Sequence, residues 1–299
     1  MKQRTLSKSY LFWGKGLHTG CYSHMRIKPA SVDTGIVFVR SDKHVVIPAL
    51  AENVSSTARS TTLSVGRVSV GTVEHVLSAL TGLGIDNAII DIDNKEVPIL
   101  DGSARFYTDK MADDPLVEQD AERKWVELDQ EVCFENPRTG SYIKLVPADE
   151  LSIDVTIDFD SRVLGVQKTH WDMGCDYVKE VAPCRTFCFL HEIQHLAALG
   201  LVKGGDVENA IVVVEKPVSE KKLSRLARAF NQPELSVTRA GYLSNLELRF
   251  PDECGRHKLL DVIGDMRLCG GFLKARVEAY KPGHATNTSA AKLVRNLIR

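Results

Sequence analysis

The chain has 299 residues, of which 43% are hydrophobic and 26% charged, and its net charge at pH 7 is −1. This length predicts two domains, and the composition is typical of globular proteins rather than of disordered, collagen-like or coiled-coil chains. The near-neutral charge excludes a global electrostatic attraction to nucleic acid or to an anionic membrane.

Targeting signals and cysteine usage indicate the compartment. Residues 1–20 lack the apolar stretch of a signal peptide, and we find no apolar run that could span a bilayer. We therefore expect a cytoplasmic monomer without stable membrane insertion. The seven cysteines are odd in number and lack framework spacing, so we expect reduced thiols. The alternative is a thiol-metal site at Cys184, Cys188 and His191 (C-x3-C-x2-H) or at Cys254 and His257, but neither has a matching second pair.

Alternating or β-branched runs predict more strands than helices, and the predicted helices are short. Two sheets with packed helices, an α+β fold, explain this pattern better than a doubly wound parallel sheet. The predicted strands are 35–40, 87–93, 141–146, 151–159, 209–215 and 273–280.

The acidic, proline-containing segment Met111–Glu122 predicts a linker, and hence domains at 1–120 and 121–299. The two halves also resemble each other. In each, a helix that contains a histidine (His75 or His195) is followed by a glycine break and a β-branched strand. This predicts a duplicated α+β unit whose site draws on both copies. Gln194 replaces Glu74 in the second copy, so the chemistry is expected in one copy only.

The run Arg256–Met266 predicts a helix with a polar stripe. His257, Asp261 and Asp265 recur every four residues, so they lie on one helix face. A histidine and an aspartate one turn apart can bind one metal ion, and Asp265 could orient them. The alternative is a His–Asp pair on the helix surface.

The run Thr72–Leu80 predicts a second amphipathic helix, capped by Thr72, with Glu74 and His75 in its first turn. A glutamate beside a ligating histidine can take a proton from water at a metal, and the helix dipole would keep Glu74 ionised. The alternative is a capping carboxylate. Two histidines and one aspartate leave a coordination position open, which is typical of catalytic rather than structural zinc.

A third candidate is His284 in the run Lys281–Asn287. The Pro-Gly sequence before it predicts an exposed loop histidine, which could protonate a leaving amine near neutral pH. An ordinary surface histidine is the alternative.

With these residues in place, the sequence resembles the UDP-3-O-acyl-N-acetylglucosamine deacetylases, zinc enzymes of bacterial lipid A synthesis. The resemblance covers essentially the whole chain. Parts of it look like members that carry a fused 3-hydroxyacyl-ACP dehydratase domain, so we expect a stand-alone enzyme or a part of such a fusion. The matching motifs are 14–20, 72–80, 84–93, 97–104, 185–187, 203–213, 256–265 and 281–287.

The resemblance implies two related α+β domains with the site between them, and a UDP-linked acylated amino sugar as the substrate. It implies zinc ligation by His75, His257 and Asp261, with Glu74 as the general base. It further implies that His284 acts as an acid or cation, that Asp265 orients it, and that Thr186 donates to the oxyanion. The implied substrate contacts are Lys258, Phe187, His18, the uracil-stacking Phe159 and its neighbour Asp158.

Some positions depart from the family pattern, and they concern nucleotide and acyl contacts rather than the metal ligands. Cys188 replaces a small glycine, His191 and Glu192 replace an Arg–acid pair, and Val146 stands where some members have a lysine. An apolar passage for the acyl chain is expected around Phe187, Ile193, Leu201 and Val207.

Three alternative functions stay open at this point. One is another zinc amidohydrolase or peptidase, a second is a catalytically inactive UDP-sugar-binding protein, and a third is a protein with purely structural zinc. Iron could also replace zinc, because two histidines and one carboxylate accept either metal.

Overall fold

The structure is a computed structural model that describes residues 1–193, 209–229, 232 and 234–298. The helices are α1 (Glu74–Gly82), α2 (Arg105–Met111), α3 (Tyr177–Glu180), α4 (Glu220–Ala229), α5 (Glu253–Met266) and α6 (His284–Leu297). The strands are β1 (Lys2–Thr5), β2 (Tyr10–Lys15), β3 (Tyr22–Pro29), β4 (Ile36–Arg40), β5 (Val45–Pro48), β6 (Val54–Ser56), β7 (Thr62–Val65), β8 (Val68–Gly71), β9 (Ala88–Ile92), β10 (Val117–Glu122), β11 (Trp125–Glu127), β12 (Val132–Asn136), β13 (Ser141–Pro147), β14 (Ser152–Asp158), β15 (Val166–Asp172), β16 (Phe187–Phe189), β17 (Ile211–Val213) and β18 (Phe272–Tyr280).

The fold is built on two sheets of the same topology. The first has the order β2-β3-β9-β4-β5, and the second has the order β12-β13-β18-β14-β15, with β11 added beside β18. In each sheet the central strand, β9 or β18, pairs antiparallel with one neighbour and parallel with the other. The α+β prediction is confirmed, and the duplication is visible as a repeated strand order.

Helices α1 and α5 hold equivalent places in this repeat. Each is the last α-helix before the central strand of its sheet, and the two helices pack against each other. The sequence comparison had instead matched the helix of His75 with a segment around His195, which lies outside the described residues. The equivalent of α1 is therefore the helix that carries His257.

Alternating burial explains why these strands form. In β14, Ile153, Val155 and Ile157 are buried while the residues between them are partly exposed. A single hydrophobic cluster includes residues of both sheets and of α1 and α5. A smaller cluster forms around β17 and α4, and it includes Ile193 and Val212. None of the helices in the described ranges combines the length and apolar character that crossing a membrane requires.

Two local predictions were wrong. The segment Met111–Glu122 is not wholly a linker, because residues from Val117 onward form β10, which pairs with β1 at the other end of the first half. Thr72 does not cap α1. It adopts a positive φ of 58°, and its hydroxyl donates a hydrogen bond to Glu96, 2.9 Å away. The proposed domain boundary near residue 120 stays a prediction.

Candidate metal centre

The three predicted ligands lie together where α1 packs against α5. His75 Nε2 is 3.8 Å from Asp261 Oδ1, and His257 Nε2 is 3.4 Å from the same oxygen. All three side chains are buried, and their ligand atoms lie within 4.8 Å of one another. Ligands of a tetrahedral zinc lie about 3.3–3.5 Å apart when each is about 2.0–2.1 Å from the ion. The spacing therefore fits one metal ion after a small adjustment.

The protonation of these groups also suits a metal. The Nδ1–H of His257 donates to the carbonyl of Cys184 at 3.0 Å, so the lone pair of the neutral ring is on Nε2. Burial and the neighbouring His257 lower the pKa of His75 to about 3. Asp261 Oδ1 is buried without a hydrogen-bond partner in the described residues. Such an orphaned carboxylate oxygen facing two imidazole nitrogens fits a divalent cation.

Lys258 offsets the buried charge of Asp261. Its Nζ is 2.8 Å from Asp261 Oδ2. Burial opposes the ionisation of Asp261, but Lys258 and the histidines hold the pKa of this carboxyl well below its usual range. Burial also opposes the charge of Lys258, yet Asp261 raises the pKa of the ammonium group. The pair is charged at neutral pH and leaves one oxygen, Oδ1, free for a metal.

Glu74 is the first residue of α1 and is fully enclosed beside His75. Its Oε2 accepts a hydrogen bond from the backbone N–H of Thr61 at 3.0 Å, and its Oε1 is 3.8 Å from His284 Nε2. Burial raises the pKa of Glu74 to about 8, although His284 opposes this shift. The sequence had suggested that the helix dipole keeps Glu74 ionised. The raised pKa indicates that the dipole alone does not. A cation at the neighbouring ligands would favour the ionised form.

His284 is not in an exposed loop. It is the first residue of α6, with Gly283 as the N-cap, and its side chain is only 10% exposed. Its Nδ1 donates to Asp265 Oδ2 at 3.0 Å. Burial lowers the pKa of His284, but Asp265 and Glu74 outweigh burial and raise it to about 9. The ring is therefore held as a cation that can donate a proton from Nε2.

Asp265 accepts hydrogen bonds from three side chains. Besides His284, the amide of Asn287 donates to Oδ2 at 2.9 Å, and the hydroxyl of Thr61 donates to Oδ1 at 2.6 Å. The sequence predicted Asp265 as an orienter but gave no signal for Thr61. In the sequence, Thr61 is not next to any predicted ligand. Its hydrogen-bond partners, Glu74 and Asp265, are 13 and 204 positions away along the chain.

Phe187 lies beside His257, and Thr186 precedes Phe187 in the chain. The ring of Phe187 contacts that of His257, with centroids 6.5 Å apart, and Lys258 Nζ is 5.6 Å from the Phe187 centroid. Thr186 is held through its backbone, which bonds to the carbonyl of Gly102 and to the N–H of Ile211. These two bonds hold the backbone of Thr186 in place. In the sequence, Thr186 comes two residues after Cys184, whose carbonyl accepts from His257.

Aromatic rings extend from the ligands to the surface. Phe159 contacts Phe187 with centroids 5.5 Å apart, and it is 41% exposed. Its neighbour Asp158 is paired with Lys281 at 3.1 Å. The structure therefore connects Phe159 to His257 through one intervening ring, which provides an exposed aromatic face near the ligands.

His18 lies in the turn between β2 and β3. Its backbone N–H donates to the buried carboxylate of Glu96 at 2.9 Å, as does the N–H of Thr19 at 2.7 Å. The His18 Nε2 atom is buried without a partner in the described residues, and burial lowers the pKa of the ring. Glu96 is a residue that the sequence analysis missed, and it holds this turn in place.

The expected acyl passage is only partly described. Phe187 lies beside the ligands, whereas Ile193 is buried in the smaller hydrophobic cluster. Leu201 and Val207 lie outside the described residues. Of the departures, Cys188 is one of seven free thiols, and His191 packs against the ring of Phe189. Glu192 accepts a hydrogen bond from the backbone of Phe189.

Comparison with known proteins identifies the family to which the chain is similar. The family model described as LpxC, UDP-3-O-acyl N-acetylglycosamine deacetylase, matches residues 3–232 and 232–298. The bifunctional enzyme LpxC/FabZ of Porphyromonas gingivalis is 39% identical over an alignment of 300 residues that covers 100% of this chain and 65% of that protein. The bifunctional enzyme LpxC/FabZ of Chlorobaculum tepidum is 40% identical over 295 residues, 97% of this chain and 63% of the relative.

Single-function relatives match as well. The UDP-3-O-acyl-N-acetylglucosamine deacetylase of Saccharophagus degradans is 40% identical over 296 residues, 97% of this chain and 89% of the relative. The chain thus spans somewhat less than two thirds of the bifunctional relatives and most of this single-function one. The resemblance inferred from the eight motifs is confirmed, and the chain belongs to the UDP-3-O-acyl N-acetylglycosamine deacetylase family.

Proposed function

We propose that this chain is a zinc-dependent hydrolase of lipid A synthesis. Its substrate would be UDP-3-O-(3-hydroxyacyl)-N-acetylglucosamine, and its products acetate and the free amine. One observation carries the proposal. Three buried ligand atoms converge beside a carboxylate, Glu74, and an imidazolium, His284, that face each other at 3.8 Å. Family membership supplies the substrate class.

His75, His257 and Asp261 would hold the metal. When bound, Zn²⁺ supplies Lewis acidity, which lowers the pKa of water and polarises an amide carbonyl. The donor set agrees with this, because two neutral imidazoles and one carboxylate leave a position open. The same donors bind iron, so metal analysis of protein purified with and without oxygen must decide which ion is native.

Glu74 is proposed as the general base. Its Oε1 faces His284 Nε2 at 3.8 Å, and its Oε2 is held by Thr61, so one oxygen is free to accept a proton from the attacking water. Attack forms the new C–O bond, and the amide C–N bond then breaks. The proton taken up by Glu74 can pass to the leaving nitrogen, which makes the amine a neutral product.

His284, Thr186 and Lys258 would stabilise charge. His284 is a cation held by Asp265, so it can offset negative charge on the carbonyl oxygen and assist protonation of the amine. Thr186 offers a hydroxyl beside Phe187, and we propose that it donates to the same oxygen. Lys258 lies between Asp261 and the Phe187 ring, where it can contact the substrate.

The aromatic surface suggests how the nucleotide binds. Phe159 exposes a ring that can stack on uracil, with Asp158 adjacent to it. His18 presents an unpartnered buried nitrogen that can donate to or accept from the sugar. We propose these residues as substrate contacts.

The decisive test is acetate release from the UDP-linked, 3-O-acylated substrate by zinc-loaded protein. Wild type should release acetate stoichiometrically with the free amine. Glu74→Gln should keep its metal but lose activity by about 100-fold or more, because general-base catalysis contributes about that much.

Three outcomes would contradict the proposal. Wild type that binds the nucleotide sugar without turnover would be an inactive binding protein. Acetate release that ignores the nucleotide and acyl groups would indicate another amidohydrolase. A fully active Glu74→Gln protein would remove the base assignment.

A further inference from the structure

We propose that Thr61 is a positioning residue that holds the base and the acid assembly of the site in register. The inference rests on the proposed function, since it assumes that Glu74 and His284 act in turnover. It assigns Thr61 a role that neither the ligand set nor the base assignment includes.

Thr61 is fully buried and contacts both halves of the catalytic arrangement. Its backbone N–H donates to Glu74 Oε2 at 3.0 Å, and its hydroxyl donates to Asp265 Oδ1 at 2.6 Å. Its carbonyl also accepts from the N–H of Val73, at the start of α1. One residue in the turn before β7 therefore connects α1 to α5.

The hydroxyl bond matters because of how Asp265 is satisfied. Oδ2 accepts from His284 and Asn287, whereas the described donor to Oδ1 is Thr61. A buried carboxylate oxygen that loses its donor is left with a desolvation cost that no hydrogen bond offsets. Asp265 would relieve this cost by rotating, and the His284 ring would turn with it. His284 Nε2 and Glu74 Oε1 would then no longer face each other.

Threonine suits this place better than serine or valine. Branching at Cβ restricts χ1, so the hydroxyl is held toward Asp265 with little loss of entropy on folding. Valine has nearly the same shape but no donor, and it preserves the backbone N–H that holds Glu74. The substitution Thr61→Val therefore removes one interaction and keeps the other.

The test compares Thr61→Val with Thr61→Ser in zinc-loaded protein. We expect Thr61→Val to lower kcat by roughly 10–100-fold, the range seen when supporting groups of a metal site are removed, with KM within about 2-fold and full metal content. Thr61→Ser should recover kcat to within about 3-fold, since it restores the donor.

Thr81→Val is the matched control. Like Thr61, Thr81 is a buried threonine, but it lies in α1, and its hydroxyl donates to the Leu77 carbonyl of that helix. The kcat of the Thr81→Val variant should stay near that of wild type. If Thr61→Val fails to fold, Thr61→Ala serves as the second variant without a hydroxyl.

A double-mutant cycle separates positioning from general destabilisation. If Thr61 acts through Asp265, adding Thr61→Val to Asp265→Asn should change kcat by less than about 3-fold, because the two changes share one interaction. The proposal would be overturned if the two substitutions lowered kcat by independent factors that multiply. It would also be overturned if Thr61→Val left kcat unchanged.

A readout without turnover keeps this inference distinct from the proposed function. The low-field proton resonance of the His284 Nδ1–H bond to Asp265, assigned with His284→Gln, should shift in Thr61→Val and return in Thr61→Ser. An unchanged resonance in Thr61→Val contradicts the inference. Absence of acetate release by wild type contradicts only the proposed function.

Discussion

Gly264 of α5 lies directly against the backbone carbonyl of Glu74 in α1. A Cβ atom added at position 264 would overlap the carbonyl oxygen and carbon of Glu74, and both belong to a helix backbone rather than to a flexible side chain. The absence of a side chain here lets the two helices approach closely. That approach brings Asp261 and Asp265, on either side of Gly264, to His75 and Glu74.

We therefore expect Gly264→Ala to destabilise the protein and weaken metal binding. Alanine is favoured over glycine within helices by about 1 kcal/mol. Overpacking against rigid backbone costs about 1–3 kcal/mol, and separating α1 from α5 adds to that cost, so the clash should outweigh the propensity gain. Chemical denaturation and metal content after dialysis measure both effects.

Gly14→Ala is the control for this substitution. A Cβ at Gly14 would meet Pro98 at 3.4 Å, an ordinary van der Waals contact, so its stability should change little. Equal stability of Gly264→Ala and wild type would show that the helices can separate without cost, against the close packing described above.

Asp261→Ala should abolish stabilisation by metal. A ligand that binds only the folded protein stabilises it by about 2.7 kcal/mol at a concentration 100 times its Kd. Chelation should therefore lower the melting temperature of wild type but leave Asp261→Ala unchanged. Asp109→Ala, in an exposed i,i+4 pair on α2, should still respond to the chelator. A chelator response that persists in Asp261→Ala would remove Asp261 from the ligand set.

Helical periodicity made part of this site predictable. His257, Asp261 and Asp265 share one face of α5 because residues four apart always do so in a helix. Their convergence with His75 depends on the packing of α1 against α5, about 180 residues apart, which no local spacing encodes. The sequence analysis combined these residues as a hypothesis from their chemistry, and the family motifs implied the same ligand set.

The duplication shows why local patterns mislead. A helix, a glycine break and a strand occur in many proteins, so that local pattern did not identify α5, the helix that holds the place equivalent to α1. The actual repeat is an order of strand pairing, which is set by contacts between distant segments. Likewise, the Pro-Gly sequence before His284 indicated an exposed turn, but Gly283 is the N-cap of a helix that packs against α5.

Phe159→Ala should raise KM for the nucleotide sugar without changing kcat. Stacking of a base on an aromatic side chain contributes about 1–3 kcal/mol, so we expect an increase of roughly 5- to 150-fold. Phe159→Tyr should retain most of the affinity, and Val166→Ala, an exposed residue of β15, should have no effect. If Phe159→Ala only lowers stability, its contacts with Phe187 and Phe189 are purely structural.

The pH dependence of stability should include a contribution from His170, which lies on the surface of β15 and is remote in sequence from the proposed metal ligands. Its Nδ1 is 2.8 Å from Asp154 and its Nε2 is 3.2 Å from Asp172, while Arg276 also pairs with Asp154 at 3.1 Å. Partial burial opposes the charge of His170, but the two carboxylates outweigh burial and raise its pKa above 6.5.

Because the folded pKa of His170 is raised, its stabilising effect is fully present below the unfolded value of about 6.5 and is lost as pH rises through the folded pKa. Wild type should therefore exceed His170→Gln in stability at pH 5.5, and the difference should vanish at alkaline pH. Proton NMR titration of the His170 ring should give a pKa above 6.5 that falls in Asp154→Asn. A pKa at or below 6.5 in wild type would show that the two carboxylates do not outweigh burial at this exposed site.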